Sequence, residues 1–131
     1  MGVLTLDRDK WKTFKEANNL SKSSFFKKAD VGPTIEKFQT AMKKFEASKS
    51  EKDLMDAFKK AEALKAAFAK FINLKEAKQE MTAGAKQKLE KWSGELDDYV
   101  IKLAKFVKAF PDILKLNDKK EMDKQFDQFI L

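Results

Sequence analysis

The chain has 131 residues, 43% of them apolar and 37% charged, with twelve Phe, four Gly, two Pro and a formal net charge of +7. That length suits a single domain with one core, the supply of large apolar side chains argues against disorder, and so little Gly and Pro leaves scant turn chemistry for a multi-stranded sheet. With no Cys, disulfides, thiolate metal sites and cysteine nucleophiles are excluded; with no His, the commonest general base and metal ligand is missing.

No run approaches the roughly eighteen apolar residues of a membrane span. The start, Met1-Gly2-Val3-Leu4-Thr5-Leu6-Asp7, lacks the basic and apolar regions of a secretion signal. Gly2 invites myristoylation, but Leu6 stands where a Ser or Thr is needed. A cytoplasmic protein, or one inside a virus particle, is the corresponding expectation.

Periodicity and punctuation predict about five helices. The first runs from about Asp7 to Asn18, with Trp11 and Phe14 on one face. The polar stretch Ser21-Lys22-Ser23-Ser24 leads into Phe25-Phe26, read as a short helical turn. Gly32-Pro33 restarts the chain, Pro being suited to a first helical position where no N–H is needed. Ile35, Phe38, Met42 and Phe45 then repeat at helical spacing and form a core-facing stripe.

Ser50 followed by Asp53 resembles a capping pair. It opens a long helix to about Lys78, with Leu54, Phe58, Ala61, Leu64, Phe68, Phe71 and Leu74 on its inner side. Thr82-Ala83-Gly84 is the break before the next helix. There Leu89, Trp92, Leu96, Tyr99, Leu103, Phe106 and Phe110 give the cleanest stripe in the chain, and Pro111 is expected to stop it. Asp118 with Glu121 makes a further capping pair for a last helix carrying Met122, Phe126 and Phe129.

The two longest segments should each span roughly 40 Å at about 1.5 Å per residue, against a radius of gyration of about 14 Å for a compact globule of this length. The expected fold is therefore all-α, an elongated bundle built on a long antiparallel hairpin over residues 50–110. The whole of 1–131 forms one domain.

Catalytic signatures are missing. The serines cluster at 21–24 and 48–50, in helix-start settings, and none lies in a G-x-S-x-G turn. The glycines stand alone at 2, 32, 84 and 94, so there is no phosphate-cradling loop. Carboxylate-only metal sites could be sought at Glu95, Asp97 and Asp98, or at Glu76 and Glu80. The last two sit among Lys75 and Lys78, as solvated pairs do. No catalytic residue, cofactor or metal ligand is therefore assigned.

Residues 99–110, alone, resemble a cationic amphipathic membrane-active helix. Their apolar face, however, continues the stripe begun at Leu89, and cations near a helix C-terminus are favoured by its dipole. A core face backed by a solvated one is the better reading.

The basic excess is concentrated in the first fifty residues and rests on Lys; Arg8 is the sole Arg. Lys can bind nucleic-acid phosphates, whereas base-specific readout leans on Arg. Lysines also alternate with carboxylates, as in Asp56–Lys60 and Asp98–Lys102, both at i,i+4 spacing. A/T-rich codon usage would produce the same preference for Lys. Nonspecific nucleic-acid binding through Lys27, Lys28, Lys43, Lys44, Lys102, Lys105 and Lys108 is thus the alternative function.

The favoured one is a non-enzymatic structural or interaction protein, a subunit of a larger assembly such as a phage or virus structural component. Termini fray unless something holds them, so the apolar ends must dock on the chain's own core or on a neighbour. Val3, Leu4, Leu6, Phe126, Phe129, Ile130 and Leu131 are the candidate partner-binding residues, toward a protein partner or a copy of the chain.

Overall fold

Helix-forming sequence and local caps divide the chain much as the periodicity indicates. The computed structural model describes residues 6–17, 31–73, 82–116 and 118–130. Among these there are five helices and no strand: α1 Arg8–Ala17, α2 Gly32–Ser48, α3 Glu51–Ile72, α4 Ala83–Leu114 and α5 Lys119–Ile130. The turn expected at Phe25-Phe26, the Ser21–Ser24 stretch and the end of the third helix near Lys78, with Leu74, lie outside the described residues.

Each start has a side-chain acceptor for a free backbone N–H, apart from α2, which begins with Pro33 in its first turn. The Asp7 carboxylate accepts from Lys10 N–H at 2.7 Å, Ser50 from Asp53 N–H at 3.2 Å, and Asp118 from Lys120 N–H at 3.0 Å. Thr82, read as part of a break, is the N-cap of α4, its hydroxyl accepting from Ala85 N–H at 3.2 Å. Gly84 therefore lies inside the first helical turn.

α3 is shorter over the described residues than its stripe suggested. It ends at Ile72, and Asn73 closes it by donating from its backbone and its side chain to the Ala69 carbonyl. Pro111 fails to stop α4, which continues to Leu114. A proline inside a helix removes one hydrogen bond and crowds the carbonyl four residues back. Here tertiary packing outweighs that cost: Phe110 just before it is fully buried against Phe45, and Ile113 just after it is buried too.

The buried residues form one apolar cluster to which every helix contributes. Contacts give the helix directions. Lys65 meets Asp97 and Phe68 meets Trp92, so α3 and α4 run in opposite senses. Phe38 meets Tyr99 and Phe45 meets Phe106, so α2 and α4 run in the same sense. α2, α3 and α4 thus go up, down and up around a shared core. Phe58, placed by its spacing on the inner side, is only partly buried and packs at the margin.

At the lower end, α1 lays Trp11 and Phe14 against Phe68, Phe71 and Trp92, with ring centroids 5.4 to 6.1 Å from one another at the closest contacts. Offset and edge-to-face pairs of this kind add to the stabilisation from burial alone. Arg8 ties the same helix to α2: its backbone N–H donates to the Gln39 side chain at 3.1 Å, and its guanidinium lies 3.9 Å from Glu36. At the upper end, Phe45, Phe106 and Phe110 form a second aromatic cluster, and Phe126 of α5 lies on it 5.0 Å from Phe106.

Candidate interaction site

The corner between α2 and α3 is built from three residues, Ser48, Lys49 and Ser50. Lys49 has φ 54°, the left-handed conformation that closes a helix, and its N–H donates to the Phe45 carbonyl at 2.7 Å. Glycine usually holds that position, and a residue with a Cβ is less stable there by about 1 kcal/mol. What the lysine adds is a side chain. Its ammonium pairs with Asp123 of α5 and lies 5.7 Å from the centre of the Phe45 ring, and the side chain is only 13% exposed.

Ser50 acts as an N-cap, as expected of serines in helix-start settings, whereas Ser48 is the last residue of α2. The Ser48 hydroxyl donates to the Asp53 carboxylate and accepts from Ser50 N–H at 3.2 Å. The bond from Ser48 holds the Asp53 carboxyl below its ordinary value, against partial desolvation and with help from Ser50, Lys44 and Lys52. Lys44 lies 3.8 Å from the same carboxylate.

α5 rests on this corner. Met122 is buried and Phe126 half-buried, while Gln125 donates to Glu121 at 3.1 Å along the helix. At the end of α4 Leu114 is uncovered, and so is Leu116 in the turn that follows, at 51% exposed. Midway along α4, Ile101 is 52% exposed. Large apolar side chains in water are common singly; these three stand out because the rest of the α4 stripe is sealed.

The residues singled out by sequence divide accordingly. Leu6 is 4% exposed and belongs to the core, so the chain itself covers it. Phe126 docks on Phe45 and Phe106. Phe129 and Ile130 continue the α5 backbone, and nothing further is described of them; Val3, Leu4 and Leu131 lie outside the described residues. Ile101, Leu114 and Leu116 were not singled out. Ile101 falls off the 3–4 spacing of its helix, the one signal that could have marked it.

The lysines do not converge. Lys27 and Lys28 lie outside the described residues. Lys44 is drawn to Asp53, and Lys102 to Asp98 at 3.2 Å. Lys43, Lys105 and Lys108 are exposed with no ion pair to a described residue, one on α2 and two on α4. The i,i+4 pair Asp56–Lys60 forms as spaced, at 4.0 Å.

Tyr99 is buried edge-on to Phe38, and burial, with Glu46 nearby, pushes its hydroxyl well above the ordinary range. It therefore stays neutral. Among the described residues no three acidic side chains gather as a metal cage would require, and Glu76 and Glu80 lie outside them. No described helix is long and apolar enough to cross a membrane. In the 99–110 segment, Tyr99, Val100, Leu103, Phe106 and Phe110 are buried while Lys105 and Lys108 face solvent, the pattern of a core helix. No family model matches the chain, and no curated protein or solved structure matches it, so its function must be read from these residues.

Proposed function

We propose that the chain is a non-enzymatic structural or interaction protein, a helical subunit that offers exposed apolar positions to copies of itself or to another protein. The observation that carries this reading is the set Ile101 and Leu114 on α4 and Leu116 just beyond its end, left in water while the inner face of the helix is closed. An interaction surface needs such anchors. A catalytic centre needs desolvated polar groups with shifted proton affinities gathered together; among the described residues the shifted groups are Tyr99, buried edge-on to Phe38 in the core, and Asp53, held at a helix corner by Ser48 and Ser50.

The combined variant Ile101→Ser, Leu114→Ser, Leu116→Ser keeps the core intact, so its thermal melt should match the wild type. Sedimentation velocity of the full chain, alone and in extract from its source, should show complexes that the variant no longer forms. If the wild type sediments as a monomer under every condition, or the variant assembles unchanged, the reading is wrong.

A further inference from the structure

α5 carries its apolar anchors on one side. Met122 and Phe126 stand one helical turn apart, with Asp123 next to the first. That side lies on a seat made by α2 and α4. Met122 is buried, the Phe126 ring sits 5.9 Å from Phe45 and 5.0 Å from Phe106, and Asp123 pairs with Lys49. We infer that two copies of the chain exchange this helix, the α5 of each lying on the Phe45 and Phe106 seat of the other in a twofold dimer. The inference deepens the interaction reading above and rests on it, since it names the partner and the contact.

The occupant follows from the contact itself. A second copy offers the same Met122, Asp123 and Phe126 to the same seat, so the ring contacts and the ion pair form in the exchanged arrangement as in the closed one. No charges are newly opposed across that seat. The helix is also free to leave at a modest cost, because Phe126 is only partly buried and the Asp123 side chain is 57% exposed.

The two arrangements differ only at the connection. α4 ends at Leu114 and α5 begins at Lys119, so the chain turns back within residues 115–118, and short hinges invite exchange. Pro111 leaves the end of α4 one hydrogen bond short, which weakens the helix next to that hinge. In a twofold exchange through so short a hinge, the two crossings lie beside each other near the axis. Leu114 and Leu116, 40% and 51% exposed in the closed chain, stand at the crossing. Exchange withdraws both pairs from water, a gain that the closed chain lacks. Neighbouring charges are of both signs, Asp112 and Lys115 before the crossing, Asp118 and Lys119 after it.

A helix on a short tether competes for its own seat at an effective concentration on the order of 1 mM. The full chain, held at about 1 mM just below its melting temperature and then cooled, should therefore yield a dimer in sedimentation velocity. That dimer should outlast dilution in the cold, because return requires α5 to open. Leu114→Ser with Leu116→Ser should lower the dimer's association constant about tenfold or more and leave the melt of the monomer unchanged.

Two charge reversals identify the contact. Lys49→Asp sets an acidic seat against Asp123, and Asp123→Lys sets a basic helix against Lys49. Each variant alone opposes like charges, whether closed or exchanged. Mixed and treated in the same way, the two restore both ion pairs only as an exchanged heterodimer, which should exceed the homodimers about tenfold. Far-UV circular dichroism of each variant alone excludes unfolding as the cause.

A chain that stays monomeric under this treatment overturns the proposal. So does a dimer in which the mixed variants show no preference for each other. In that second case the interaction reading survives with a different contact. In the first it survives if the chain still forms complexes in extract that the Ile101, Leu114 and Leu116 variant abolishes.

Discussion

The two ends of the bundle are closed by the same kind of element, a short amphipathic helix laid over aromatic rings, but they are held differently. Below, α1 drives Trp11 to full burial among four other rings, and Leu6, just before the helix, is buried in the same core cluster. Above, α5 contributes a buried methionine, Met122, one partly buried phenylalanine and an ion pair to Lys49, a residue whose backbone conformation is itself unfavourable. Full burial of a large ring is worth more than a partly exposed ring and a charge contact. The upper end should therefore open more easily.

The largest test compares the two anchoring rings. Trp11→Ala should lower stability by about 3–5 kcal/mol, the usual result of emptying a buried aromatic site. Phe126→Ala should cost less, about 2 kcal/mol, because part of the ring is already in water. Urea denaturation followed by far-UV circular dichroism reads both. Equal losses would remove the asymmetry.

A smaller effect isolates the left-handed corner. Lys49→Ala and Lys49→Gly both lose the contact with Asp123, but glycine alone relieves the backbone. The glycine variant should be more stable than the alanine variant by about 1 kcal/mol. In both, amide exchange should rise in α5 while α1 stays protected. A slower exchange in α5 would mean that Lys49 does not hold it.

The smallest effect is the acid response of the same corner. Asp53 has its proton affinity lowered in the folded state, so it stabilises the fold above its unfolded value of 3.8. That contribution fades as pH falls below 3.8 and through the lowered folded value. Wild type and Asp53→Asn should thus differ in melting temperature near neutrality and converge in strong acid. A gap that widens in acid would contradict the assignment.

Much of this fold is legible in the sequence, because a helix buries what recurs at three and four. Every position of the stripe from Leu89 to Phe110 is buried, and Ser50 caps where its spacing to Asp53 says it should. The departures come where distant residues decide. Pro111 reads locally as a stop, yet the rings of Phe45 and Phe106 hold Phe110 in helical register. Lys49 takes a glycine's conformation with no glycine to announce it, because Asp123, over seventy positions away, gives its side chain a destination. The exposed leucines beyond Pro111 could not be foreseen while the helix was thought to end there.

The placement of the tryptophans has a practical consequence. Trp11 and Trp92, the two in the chain, lie 6.1 Å apart in the lower cluster. Tryptophan fluorescence, excited beyond the absorption of Tyr99, therefore watches one end of the molecule alone. Release of α5, or loss of the Lys49 contact, would leave emission unchanged while helical content fell. A melt followed by fluorescence would look like a single cooperative transition even if the upper end had already come apart, and a tryptophan placed at Phe126 would make that end visible.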